Sequence, residues 1–508
     1  MKTEKIGKEQ RMDIRPYMPE FGFGRAGSRH IIVEQDEKLW LAFASEGAGV
    51  FMMSSDSLSA GLLEINLMHE GQSEPYTYEA SEALLKITSA HGKVSVAVDA
   101  CAKALRFVGE GVGIRLDSKD TEQSTTNLNT PEGTVVSMGG GRYVFVASTG
   151  QISFDDTWVR EKFRSKPPLL DVAMDGGKVE LIAYDLPADT EMPAITKTLD
   201  ECVADNEADF KQFCSQLITT PSEYDDVRAN AEYLMWVNQR EINGVNVILS
   251  NKLRSADLDS VNLSIASLVF TCPTHATNLI SSAVGESPIA QASAVIRLFK
   301  DDLFKKVSRK TVFQLYDQLR GHMIWWTKNR TDDDTALFYY AYRYEAGNPT
   351  NLLFKADSPI YSPDINTYMI LACKALAKLS EHLKNFAEVT NWKNRAADIK
   401  HALIANLWDG EKFVGKNLYS GEKTEADEVI SLMPLALGGM LPKEIADKLA
   451  EKVTDEICDP FIILGLFRAG YEDKAKQIMT AKLKKARETG IKDPFDGAAL
   501  LALAKYVL

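Results

Sequence analysis

The chain has 508 residues, of which 45% are hydrophobic and 25% charged, and its 58 Lys+Arg against 71 Asp+Glu give a formal net charge of −13. This is the composition of an ordinary globular protein of two to four domains, and it excludes the disordered and fibrous classes. The acidic balance argues against a nucleic-acid partner, which needs a concentrated cationic face.

The N-terminal stretch MKTEKIGKEQRMDIRPYMPEF carries charges but no apolar core before Pro16, so no secretory leader is expected and the expected location is cytoplasmic. No apolar run reaches the roughly 18 residues of a membrane helix, so no membrane partner is expected. From about residue 20 to 190, short β-rich runs alternate with Gly, Asn, Asp and Ser. Examples are His30–Val33, Trp40–Ala44, Val94–Val98, Arg142–Ala147 and Lys178–Tyr184. Alternation broken by frequent turn residues predicts an N-terminal β-sandwich over residues 1–195. Gly139-Gly140-Gly141 precedes the strand-like RYVFVAS and reads as a turn, not a phosphate cradle.

After a linker helix region at 196–221 the apolar period becomes helical. Segments of this kind recur at 224–240, 259–270, 288–299, 308–328, 364–383, 389–407, 426–437, 443–453, 460–469, 471–486 and 494–507. In the clearest, Tyr368, Leu371, Ala372, Leu376, Leu379 and Leu383 share one stripe, and Pro363 and Asp364 start the helix. Residues 222–508 therefore have room for twelve helices, which suits an all-α (α/α)6 toroid of six hairpins. Such a ring gathers its loops around one depression, where a ligand is held by side chains distant in sequence.

The cysteines and histidines are dispersed without CxxC, HxH or HExxH spacing, so no metal and no cofactor is expected. The loop richest in chemistry is WWTKNRTDDDTALFYYAYRYEAGNPTNLLFKADSPIYSPD, from Trp325 to Asp364. It sets Trp325, Trp326, Tyr339, Tyr340, Tyr342 and Tyr344 beside Arg330, Asp332, Asp333, Asp334, Glu345 and Asp357. Rings beside carboxylates and an arginine suit a sugar: C–H faces pack on rings, hydroxyls meet charged groups, and a protonated carboxyl can serve the glycosidic oxygen. The plainer alternative makes Trp325 and the tyrosines core, Trp326 a packed ring, Arg330 a member of a surface ion pair, and the Asp run a solvated loop.

An ordered series of segments, AEYLMWVNQREINGVNVILS (231–250), DLDSVNLSIAS (257–267), ESPIAQASAVIRLF (286–299), LYDQLRGHMIWWTKNR (315–330), SPDINTYMILACKALAKLSE (362–381), NWKNRAADIKHALIANLWDGEKF (391–413), EVISLMPLALG (428–438) and LGLFRAGYEDKAKQIM (464–479), resembles the six-hairpin glycosidases. Within them the likeness is to the processing α-glucosidase and mannosylglycerate hydrolase-like group. The resemblance implies a glycoside hydrolase of α-linked di- or oligosaccharides, working by inversion with two carboxylates and no cofactor, with a small carbohydrate as partner. It implies sugar contacts at Trp236, Asp259, Gln291, Trp326, Arg330, Tyr344 and Asn348.

The catalytic motifs depart from the family's pattern. The stretch matching the general-acid motif is Glu345-Ala346-Gly347-Asn348-Pro349, with proline where the family has its aspartate. The expected acid is therefore Glu345, with Asp357 as the alternative, its pKa raised by burial among Trp326, Tyr344 and Phe338, and the expected base is Asp493. The altered motifs leave two alternatives. One is a degenerate carbohydrate-binding protein. The other is a polysaccharide lyase using Tyr339 or Tyr344 with His322, although the net charge disfavours the cationic cleft a lyase needs.

Overall fold

A computed structural model describes residues 12–19, 21–28, 30–43, 63–100, 104–118, 125–131, 133–138, 141–186, 191–194, 196–217, 220–242, 245–248, 307–332, 334–346, 351–355, 359–457, 459–491 and 494–508. The chain divides into two compact units, one of Met1–Ser215, Glu232–Ala256 and Lys492–Pro494, the other of Gln216–Ala231, Asp257–Ile491 and Phe495–Leu508.

The first unit is built on two antiparallel sheets. Among the described residues the seven-stranded sheet runs in the order His30–Gln35, Lys38–Phe43, Leu63–His69, Gly113–Ser118, Leu169–Ala173, Gln151–Phe154, with Gln72–Glu74 paired to Leu63–His69. The eight-stranded sheet runs Thr125–Thr130, Gly133–Met138, Gly141–Thr149, Lys178–Leu186, Ala104–Glu110, Lys93–Asp99, Leu85–Ser89, Tyr76–Ala80. Period-2 sequences give these strands one buried and one wetter face. Leu63, Ile65 and Leu67 are buried while Glu64 and Asn66 are half-buried, and Leu85 and Ile87 are buried between the exposed Lys86 and Thr88. All five strand expectations hold within a few residues, and two sheets with one buried face each are what a sandwich requires.

Helix α1, Leu199–Gln216, is more than a linker. Its Cys202 and Val203 pack on Ala83 and Ala97, and the buried Asn206 amide donates to the carbonyl of Val98 at 3.2 Å. Helix α2, Asp225–Val237, stops short of the expected Arg240. The Asn238 side chain donates back to the Leu234 carbonyl at 2.9 Å, and the chain then pairs Gln239–Ile242 with Val245–Ile248 as a hairpin. The β-branched residues on both sides of an Asn-Gly pair favour that outcome over a continued helix.

In the second unit helix α3, Arg309–Asn329, is capped by Ser308, whose hydroxyl accepts from the Thr311 amide at 3.1 Å. Helices α4, Pro363–His382, and α5, Phe386–Leu407, pack side by side, α4 being buried along nearly its whole length. The segment expected as one helix at 426–437 is a short α6, Glu428–Leu432, followed by a 3-10 stretch, Met433–Met440, bent at Gly438. Pro434 lacks the N–H that would continue α6. Helices α7, Lys443–Lys452, α8, Pro460–Arg468, α9, Glu472–Thr489, and α10, Pro494–Val507, complete the unit as the apolar spacing predicts. The expected helices at 259–270 and 288–299 lie outside the described residues.

Candidate functional site

The loop after α3 is an organised element. Helix α3 ends as the Arg330 amide bonds the Trp326 carbonyl at 2.8 Å, and the chain doubles back so that the Tyr339 amide bonds the Arg330 carbonyl at 3.0 Å. Asp332 closes the turn. Its carboxylate accepts from the Asp334 amide at 3.2 Å, the Thr335 hydroxyl at 3.1 Å and the Tyr361 phenol at 2.7 Å. These donors, Tyr361 foremost, hold the Asp332 carboxyl below the usual carboxylate range. The strand pair Tyr339–Tyr340 with Ile360–Tyr361 continues onto Gly415–Asn417.

Beneath this element lies an aromatic floor. Trp326, Phe338 and Tyr340 are fully buried, with the Trp326 ring 6.5 Å from Phe338 and 6.4 Å from Tyr340. Asn366 of α4 ties the floor down. Its amide oxygen accepts from the Phe338 N–H at 2.9 Å, and its amide nitrogen donates to the carbonyls of Phe338 and Ser362 at 2.9 and 2.8 Å. Tyr340 donates its phenol to Asp364 at 3.1 Å, and burial raises that carboxyl above its ordinary range. Trp326 is thus a packed ring, as the plainer alternative has it.

Above the floor the structure brings Arg330 and Glu345 together. Both Nε and Nη2 of Arg330 donate to Oε1 of Glu345, at 2.8 and 2.5 Å, while Oε2 accepts from the amides of Ala341 at 2.7 Å and Tyr342 at 3.4 Å. The carboxylate has about four acceptor directions, and this geometry uses all of them. In this conformation Glu345 anchors Arg330 and the 341–345 turn. The pairing with Glu345 holds the Arg330 guanidinium above its ordinary pKa. The guanidinium carbon stands 5.2 Å from the ring centroid of Trp325, itself 47% exposed, and Tyr342 beside Glu345 is 66% exposed. Two outward rings flanking a charged pair can stack on sugar C–H faces and bond hydroxyls.

Of the rings in this loop, Trp325 and Tyr342 are the ones that the structure leaves exposed. The signal for Trp325 was its adjacency to Trp326: neighbours on a helix point about 100° apart, so one of two consecutive tryptophans faces outward when the other is core.

The other expected residues fall elsewhere. Trp236 belongs to the first unit, where it is buried on Phe210 at 5.2 Å and donates its indole N–H to Asp209 at 2.8 Å. That is a packing role. Asp259, Gln291, Asn348, Asp357 and Asp493 lie outside the described residues, as does the side chain of Tyr344. Burial lowers the His322 imidazole to about 4, so it is neutral at neutral pH. Among the described residues no group of three or more His, Cys, Asp or Glu is placed to hold a metal ion, and no helix is long and apolar enough to cross a membrane.

Residues 218–459 match the profile of the mannosylglycerate hydrolase MGH1-like glycoside hydrolase domain. No curated protein sequence matches the chain. Among solved structures, a bacterial glucoamylase complexed with acarbose is similar over 99% of this chain and 96% of its own, with 10% identity and a TM-score of 0.58, so the fold is shared. A GH92-family glycosyl hydrolase covers 95% of this chain and 73% of its own at 10% identity and TM-score 0.46. The GH63 mannosylglycerate hydrolase from Thermus thermophilus, in complex with Tris and D-glycerate, covers 55% and 99% at 13% identity and TM-score 0.43. Residues 218–459, just under half of the chain, thus resemble a mannosylglycerate hydrolase-like glycoside hydrolase domain, on a fold shared with the bacterial glucoamylase.

Proposed function

We propose that the helical unit closes as an (α/α)6 toroid and that the chain hydrolyses an α-linked di- or oligosaccharide with inversion. The observation that carries this reading is the array of outward-facing Trp325 and Tyr342 around the Arg330–Glu345 pair, inside a segment that matches a glycoside hydrolase domain. The partner is then a small carbohydrate, and a cytoplasmic location goes with the reading.

The engagement of Glu345 on all four sides reassigns the roles weighed from sequence. Asp357 becomes the general acid that protonates the leaving oxygen, and Asp493 the base that activates water on the opposite face. In the inverting scheme these two carboxyls stand roughly 6.5–9.5 Å apart. Glu345 is a positioning residue that holds Arg330 against the sugar hydroxyls. Asp259, Gln291, Asn348 and Tyr344 complete the sugar contacts, while Trp236 and Trp326 support from the core.

Leaving-group dependence separates these roles. An α-glycosyl fluoride needs little help from an acid, so Asp357→Asn should lose turnover on a disaccharide by about 10²–10⁴-fold and recover most of it on the fluoride. Glu345→Gln should be impaired equally on both substrates. If Glu345→Gln shows the rescue and Asp357→Asn does not, the acid is Glu345.

The full engagement of Glu345, together with Pro349 at the family's acid position, favours one second reading, a carbohydrate-binding protein on a glycosidase fold. Turnover of any aryl α-glycoside that Trp325→Ala abolishes would rule it out.

A further inference from the structure

The second unit carries a cationic groove that the sugar chemistry does not use. It lies between α4, α5 and the Gly439–Met440 end of the 3-10 stretch, with a volume of about 580 Å³. Four lysines line it, Lys374, Lys378, Lys393 and Lys400, against one acid, Glu381. This is a local excess of positive charge on a chain whose net charge is −13.

The sequence builds the groove by helical spacing. Lys374 and Lys378 are four apart on α4 and share a face about 6 Å long, and Lys393 and Lys400 are seven apart on α5 and share one of about 10 Å. Between the rows Ala377 and Ala396 are too short to fill the space, so the trough stays open. Lys378 is steadied by Glu381 at 2.9 Å, and Lys400 reaches across to the Met440 carbonyl at 3.2 Å. Lys378 and Lys400 are thus held by different partners, one on α4 and one at the Met440 end of the trough.

We propose that this groove docks an acidic peptide segment of a partner protein. Lysine positions spread over about 10 Å of helix suit an extended ligand better than a lone phosphate: an extended peptide advances about 3.3 Å per residue and, with a carboxylate at every second residue, presents one about every 6.6 Å. Lysines are point charges without the planar fork by which arginine selects phosphate, so they accept carboxylates arriving at varied angles. Ile370 and the adaptable Met440 give apolar side chains between the carboxylates a place to pack. Among the described residues no aromatic ring lines the groove, so neither bases nor sugars find a stacking platform there.

The full chain, titrated with a fluorescent Glu-Leu alternating hexapeptide and read by anisotropy, tests this. Binding should weaken with salt and should be at least tenfold weaker for the Gln-Leu analogue. The charge-reversing pair Lys374→Glu and Lys393→Glu should weaken it at least tenfold. Glu381→Gln, which removes the competing carboxylate, should tighten it several-fold, an opposite sign that misfolding cannot mimic. Equal binding of the two peptides, or no response to either set of variants, would overturn the proposal. So would a single-stranded RNA or a polyphosphate that binds as tightly as the peptide and displaces it, because the groove would then be a general polyanion site.

Discussion

Arg330 grips Glu345 through two nitrogens on a single carboxylate oxygen, Nε at 2.8 Å and Nη2 at 2.5 Å, while the other oxygen closes the turn that follows. The pair is a hinge pin between the end of α3 and the 341–345 turn, with both side chains less than one-fifth exposed. Removing either partner strands the other. Glu345→Gln and Arg330→Gln should each lower stability and raise KM, and the double variant should be little worse than either single one. A double-mutant cycle on thermal unfolding should return a coupling of about 1–3 kcal/mol. Strict additivity would mean that the pair does not work as a unit.

Asn366 satisfies both backbone groups of Phe338 from a fully buried position. Asn366→Ala leaves that N–H and carbonyl without partners in the core, at a cost of roughly 3 kcal/mol. Thermal unfolding should show the loss, and the quenching of Trp326 should change as the floor loosens. Wild-type stability would mean that the backbone finds other partners.

Asp459 caps α8, accepting from the amides of Phe461 at 2.8 Å and Ile462 at 3.2 Å. A helix N-terminus favours a carboxylate, yet burial outweighs this and pushes the carboxyl up to about 6 from an ordinary 3.8. Across the window between those two values the folded chain keeps a proton that the unfolded chain has released. Stability therefore falls as pH rises from about 4 to 6, by roughly 3 kcal/mol in full. Asp459→Asn keeps a cap oxygen and should flatten this slope in thermal melts taken across the window. An unchanged slope would assign the titration to another group.

Gly465 lets α8 press against the 3-10 stretch: a Cβ at this position would overlap the Leu435 carbonyl and crowd Ala436. Gly465→Ala gains helix propensity but must push the two segments apart, a net loss of about 1–3 kcal/mol that a lowered melting temperature would report. A stabilised variant would mean that the two segments separate at little cost.

Much of this was legible in the residues, for identifiable reasons. Strands such as Lys93–Asp99 are legible from the period-2 spacing of Val94, Val96 and Val98, and helix starts from Ser308 and Pro363, because each signal is local. The hairpin after Val237 is masked in the sequence because the apolar period of Tyr233, Leu234 and Trp236 runs straight into it and outweighs the Asn-Gly signal. The two-residue strands Tyr339–Tyr340 and Ile360–Tyr361 are too short to show any period. Least legible was the chemistry of Glu345. A list of residues cannot say whether a carboxylate faces a substrate or a guanidinium fifteen positions away, since loop closure decides that.

The proposed reaction is inverting hydrolysis of an α-linkage at the site that Trp325 and Arg330 flank. Proton NMR of the anomeric signals during the first minutes of reaction with an α-linked disaccharide tests it most directly. The β-anomer of the released sugar should appear first and then mutarotate, and Trp325→Ala should slow its appearance at least tenfold. Release of the α-anomer first, or no release by the intact protein, would contradict it.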